Sequence, residues 1–193
     1  MATQTSAQPA ERELKHTRDL RVNVYKRTDG LWDVEARLTD RKSADFTLVS
    51  GTRSKDQPVH DMTVCLTIDT HFEVVASTAA SHSVPYPGYC DTIGPAYSQL
   101  VGLNLLKNFN REVRAKFGKT AGCTHITELT AVMPTAAVQA FAGESRRSDA
   151  TNTNATTPPF YIDSCHALAR TGAAVKTYYP QWYRNSNVKT TGE

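Results

Sequence analysis

The sequence predicts an α+β fold, a single domain in which helices cover one face of an antiparallel β-sheet. Three observations carry this. Residues in the first half alternate between apolar and polar with the period of a strand, as in Trp32-Asp33-Val34-Glu35-Ala36-Arg37-Leu38. Between about 97 and 145 the apolar residues fall at helical spacing instead, as in Ile126, Leu129, Val132 and Met133. Strands therefore come first and helices second, an order that gives α+β rather than a parallel sheet.

Residues 1–18 are polar, lack periodicity and read as a flexible N-terminal arm. Residues 20–27 alternate, Thr28-Asp29-Gly30 is a turn signal, and 31–38 alternate again, so a hairpin is expected. Asp45 to Val49 reads as a short strand and Gly51 to Gln57 as a polar loop. Val59 to Asp69 is the clearest strand. His60 shares its apolar face with Met62, Val64, Leu66 and Ile68, and Asp61 shares the polar face with Thr63, Cys65 and Thr67. Phe72 to Ser77 is its expected partner. His82 to Pro95 holds three prolines and two tyrosines and reads as an ordered loop of the kind that walls a pocket.

Tyr97 to Lys107 and Phe109 to Phe117 read as two helices, the second ended by Gly118. A long amphipathic helix is expected from Thr124 to Phe141, kinked or broken near 133 by Pro134. The Ser, Thr, Asn and Pro content of 143–159 predicts a mobile polar loop. Phe160 to Ala169 resumes order, Gly172 to Tyr183 reads as a last strand, and 184–193 as a frayed tail. The domain is expected over 19–183.

The chain has 193 residues and a net charge of +3, too little to argue for nucleic acid without a basic run interleaved with aromatics. No apolar run approaches the roughly 20 residues of a membrane helix, and Met1 to Glu13 lacks a signal-peptide segment, so a cytoplasmic protein is expected. The four cysteines are scattered with no C-x-x-C pair, which suggests reduced thiols rather than a zinc knuckle. No G-x-G-x-x-G or other cofactor fingerprint is present, and no cofactor is expected.

The chemistry concentrates in Gly122-Cys123-Thr124-His125-Ile126-Thr127-Glu128-Leu129. Thr124 reads as an N-cap, His125 and Glu128 share one side of the helix, and Cys123 sits where the helix dipole favours a thiolate. His60 and Asp61 are the second candidate pair. His60, Asp61, His125 and Glu128 are the expected catalytic groups, in a pocket where the two imidazoles face each other. Trp32, Glu35, Tyr86, Tyr89 and Cys123 are the expected substrate contacts, with Trp182 a further aromatic candidate. His16, His71 and His82 read as surface residues, and His166 beside Cys165 is a weaker candidate.

The phrases Tyr25-Lys26-Arg27-Thr28-Asp29-Gly30-Leu31-Trp32-Asp33-Val34-Glu35, Leu38-Thr39-Asp40-Arg41-Lys42 and Val59-His60-Asp61-Met62 form one pattern with 97–102 and 122–129. Together they resemble the bacterial domain-of-unknown-function family 2889, over about residues 20 to 183. The resemblance implies a small protein acting on lignin-derived aromatics. The implied activity is a lyase that releases formaldehyde from a phenylcoumaran dimer and leaves a stilbene. Such a reaction needs proton transfers and no redox cofactor, which suits His, Asp and Glu in a partly apolar pocket. The expected partner is a small aromatic substrate, and a homodimer is plausible from the arm and the tyrosine-rich end.

Two other readings stand beside it. His60, Asp61, Cys123, His125, Glu128 and His166 are competent metal ligands, although none has His-x-x-x-His spacing. A non-enzymatic ligand-binding or assembly module would use the same aromatics without turnover. Nucleophilic hydrolysis ranks below both, since no G-x-S-x-G elbow is present.

Overall fold

Alternation in the sequence becomes a four-stranded antiparallel sheet in the computed structural model, which describes residues 10–149 and 156–185. The expected arm at 1–9, part of the polar loop at 150–155 and the tail at 186–193 lie outside the described residues. The strands are β1 (His16–Lys26), β2 (Trp32–Lys42), β5 (His60–Ile68) and β6 (Val74–Ser83), in the order β1-β2-β5-β6. A small separate hairpin pairs β3 (Phe46–Leu48), the short strand expected at 45–49, with β4 (Gly51–Arg53), which lies inside what reads in sequence as a polar loop. The class is α+β, as the alternation predicts.

The β1–β2 hairpin closes through Gly30 at φ 86, a left-handed position that suits glycine. Its strands pair without interruption from His16↔Lys42 to Lys26↔Trp32. The first strand thus begins at His16, inside the segment that reads as an arm. The reason is that pairing with β2 supplies backbone partners to polar residues that carry little periodicity of their own.

The inward face of the sheet carries Val34, Leu38, Val64 and Leu66, all buried. Each large side chain removed from water there contributes about 1.5–3 kcal/mol. The helices that follow are α1 (Phe109–Phe117), α2 (Thr124–Ala131) and α3 (Met133–Asp149). Helix α1 inserts Phe109, Val113 and Phe117, and α2 inserts Ile126 and Leu129, at the three- and four-residue spacing of a single helix face. The predicted break falls at Val132, and Pro134 takes a first-turn position in α3, where its missing N–H costs nothing.

Three expectations fail. Tyr97 to Lys107 is not a helix: a 3-10 helix spans Gly94–Leu100, and the chain then turns at Gly102, φ 84. Besides local turn bonds, its backbone bonds to the start of β6, through Gly102 N–H to Val74 O at 2.8 Å and Val74 N–H to Leu103 O at 2.8 Å. Helix α3 continues to Asp149, so 143–149 is helical rather than loop. Polar composition there did not imply a break, because no proline interrupts Thr135 to Thr157. Finally, Gly172 to Tyr183 is not a strand. It holds α4 (Ala173–Tyr178) and a 3-10 turn at Pro180–Trp182. Val175 and Tyr179, one helical turn apart, pack into one cluster.

The chain divides into two compact units, 1–140 and 141–193. The first holds the sheet, α1 and α2. The second has a core of its own, where Tyr161, Ile162 and Val175 are buried under Tyr179, Trp182 and Tyr183. Among the described residues, no helix is long and apolar enough to cross a membrane.

Candidate functional site

The inward alternation of β2 runs one step past its hydrophobic stretch. After Trp32, Val34, Ala36 and Leu38, the next inward residue is Asp40, only 2% exposed. Strand register places Arg18 of β1 opposite it on one side and His60 of β5 on the other. Arg18 donates to both carboxylate oxygens, from Nε and Nη2, each at 2.8 Å. His60 Nδ1 lies 2.9 Å from Oδ2 and His16 Nε2 lies 3.1 Å from Oδ1. One buried carboxylate therefore gathers side chains from both strands that flank its own.

The fourth contributor comes from α2. Cys123, in an extended conformation, occupies the N-cap position, so Thr124 is the first helical residue rather than the cap. The cap has no side-chain hydrogen bond of its own. A buried tyrosine does that work from outside the helix. Tyr97 Oη accepts from Cys123 N–H at 3.0 Å and lies 3.0 Å from Cys123 O and 2.9 Å from Thr127 Oγ1. Gly122 makes this close approach feasible, since a Cβ there would lie 2.7 Å from Phe117 Cβ and 3.0 Å from Tyr97 Oη. Held in this way, α2 stacks His125 on His60 with ring centroids 3.8 Å apart and 29° between planes. His125 Nε2 is 3.7 Å from Asp40 Oδ2, and its Nδ1 is 3.9 Å from Cys123 Sγ.

The electrostatics follow from this packing. Burial penalises the charge on Asp40, but the Arg18 hydrogen bonds and charge outweigh it and hold the carboxyl at about 2. An ionised Asp40 accepts only, so His60 Nδ1 carries the hydrogen and Nε2 keeps its lone pair. Burial lowers the pKa of His60, and Asp40 opposes that without reversing it. Burial also lowers that of His125, helped by the positive charge of His60 and Arg18. Two stacked neutral imidazoles, one oriented by a carboxylate, are suited to take up and return a proton. They titrate as a pair, because a second proton would put two cations face to face.

The site opens into a cavity of about 340 Å³, lined by His16, Arg18, Asp40, His60 and His125 together with Phe46, Leu48 and Tyr86. Among the expected residues, the structure thus brings together His60, His125, Cys123 and Tyr86. Glu128 joins at the rim, where Arg18 Nη1 bonds it at 2.5 Å. Asp61 does not belong. It lies on the opposite face of the sheet, paired with Arg37 at 2.8 and 2.6 Å, because adjacent strand residues point to opposite sides. Glu35 lies on that same outer face, in a separate cavity with Arg21 and Arg37.

Trp32 is a core residue at the far end of β2, opposite Ile68 and eight residues from Asp40, about 26 Å along the strand. Tyr89 is 81% exposed and does not line the cavity. Trp182 packs in the cluster of the second unit. The residues that sequence reasoning missed are Asp40, Arg18 and His16. A signal for Asp40 was present, since an aspartate in phase with an inward apolar run is buried and must be paired.

The set Asp40, His60 and His125 offers ligand atoms within 4.8 Å of one another, close enough to hold a metal ion. Arg18 counts against a cation, since its guanidinium already engages both oxygens of Asp40.

No curated protein and no solved structure matches this chain significantly. A family profile does match, over residues 16–139, which takes in β1 through the first part of α3 and every residue of the Asp40 cluster. The match stops short of 183, so the second unit lies wholly outside it. The chain belongs to the family described as protein of unknown function DUF2889.

Proposed function

We propose that this protein is an acid–base lyase that releases formaldehyde from a small aromatic dimer of the phenylcoumaran type and leaves a stilbene. The observation that carries the acid–base part is the buried Asp40 carboxylate orienting His60 beside His125 at the mouth of a half-apolar cavity. The substrate class rests on the resemblance to its family and on the aromatic wall of Phe46 and Tyr86.

The fragmentation balances with proton transfers alone. A base takes the para-phenol proton, the ring pushes electrons to the benzylic carbon, and the ether C–O bond breaks to give a quinone methide. The departing phenolate oxygen takes a proton. A base then removes the hydroxymethyl proton, the C–C bond breaks, and formaldehyde leaves. The released electron pair forms the stilbene double bond and restores the aromatic ring, whose oxygen is reprotonated. His60 Nε2 is the base, since Nδ1 is engaged by Asp40, and His125 is its partner for the second transfer. Arg18 keeps Asp40 ionised throughout, so the orientation of His60 survives the proton cycle.

The test is incubation of chelator-treated protein with a phenylcoumaran dimer, with formaldehyde and stilbene absorbance followed together. Both products in equal amounts support the proposal. Saturable binding without either product rejects the lyase in favour of a ligand-binding module. A second reading, a metal-dependent enzyme, is favoured by the Asp40, His60 and His125 cluster. Stoichiometric metal in the purified protein, with product formed only when it is restored, would replace the first reading with that one.

A further inference from the structure

We infer that β1 pairs with β1 of a second copy of this chain, in an antiparallel register centred on Leu20, to form a continuous eight-stranded sheet. The strand is an edge of the sheet over its full length, His16–Lys26. Among the described residues, no segment bonds to its free backbone side. Eleven residues is long for an edge, and β1 has no proline, glycine or bulge; its protection is charge, in Arg18, Asp19, Arg21 and Lys26, which a partner of matching charge pattern can neutralise. It also leaves Leu20 42% exposed on the face that elsewhere forms the core.

Charge selects both the partner and the register. A two-fold axis perpendicular to the sheet keeps each side chain on its own face, so residues opposite each other have an even sum. Centring on Asp19 or Arg21 sets like charges directly against each other, which is destabilising. Centring on Val22 brings Arg18 against Lys26, and centring on Asn23 sets no opposite charges within the strand against each other. Centring on Leu20 sets Asp19 against the partner's Arg21 and Arg21 against the partner's Asp19, with Leu20 meeting its own counterpart. Asp19 and Arg21 are both exposed, so both are available for this pairing.

The seam borders the candidate site. His16 and Arg18, which reach Asp40, lie on this strand. In the Leu20 register they stand beside the partner's Val24 and the partner's Val22 on the same face. The second copy thereby sets two valines beside two residues that line the cavity. The inference is independent of the reaction proposed above.

The experiment is a mass measurement in solution by light scattering and sedimentation on the full chain, at low salt. Wild type is expected at twice the 21.3 kDa of one chain. Asp19→Arg and Arg21→Asp each turn two attractive pairs into two repulsive ones, and each is expected to weaken the dimer about tenfold or more. The double variant Asp19→Arg/Arg21→Asp restores the opposite-sign pairs and is expected to dimerise like wild type. Circular dichroism of each variant separates loss of the dimer from loss of the fold, and rescue by the double variant does so independently. A monomeric wild type overturns the inference, as does a dimer indifferent to the single swaps. A dimer that forms only after removal of residues 1–9 also overturns it, since the edge then belongs to that segment.

Discussion

Replacing Asp40 by asparagine keeps the shape of the side chain and removes its charge. In the native protein the carboxyl titrates at about 2 rather than the ordinary 3.8, although it is almost completely buried. At about 1.4 kcal/mol per tenfold change in proton affinity, that difference is worth about 2 kcal/mol of stability at neutral pH. The folded carboxyl is the stronger acid, so its contribution is complete above the unfolded value and is lost as pH falls from about 4 toward 2. Asp40→Asn should therefore be destabilised by about 2 kcal/mol in urea unfolding at pH 7. The deficit should shrink as wild type is acidified through that window, because a protonated aspartate and an asparagine are nearly equivalent at this position. A second readout comes from His60. Asp40 is the group holding its pKa up against burial, so the imidazole of the variant should titrate lower still by NMR. A variant within about 0.5 kcal/mol of wild type at pH 7, or one whose deficit is the same at pH 7 and pH 2.5, would refute the reasoning.

Burial holds His60 and His125 below their ordinary 6.5, so both are neutral at pH 7 and the acid limb of kcat/KM is expected below pH 6.5; a midpoint above 7 would contradict a neutral base. His60→Ala should lower kcat by about 10²–10⁴-fold, the usual contribution of a positioned base, with far less change in KM. Asp61→Asn should keep turnover close to wild type, because that carboxylate serves Arg37 on the other face; a loss as large as that of Asp40→Asn would mean the site has been drawn on the wrong side of the sheet. Tyr97→Phe removes the acceptor of Cys123 N–H and should cost about 1–3 kcal/mol in urea unfolding, with a visible change in the His125 resonances; an unchanged protein would show that α2 holds its start without the hydroxyl.

Much of this protein was written locally. Period-two alternation marked β2 and β5 because a pleated strand with one buried face must alternate. The spacing of Phe109, Val113 and Phe117 marked α1 for the corresponding reason in a helix. His60 and His125 stood out because each interrupts an apolar pattern with a group that titrates near neutrality. Asp61 was misjudged by adjacency in sequence. In a strand the next residue is the one place a partner on the same face cannot be.

What the sequence determined by itself, then, were the elements whose periodicity is their own: the hairpin strands, the helices α1 and α2, and the break before Pro134. The tertiary structure decided the rest. That Asp40 meets Arg18 and His60 depends on the registers of β1 with β2 and of β2 with β5, which bring residues about twenty apart to within hydrogen-bond reach. That α2 begins where His125 can stack on His60 depends on Tyr97, itself anchored by packing against Phe117. A single strand or helix carries no mark of these pairings. A side chain's direction is set by its own backbone, but its partner is set by the chain that folds against it.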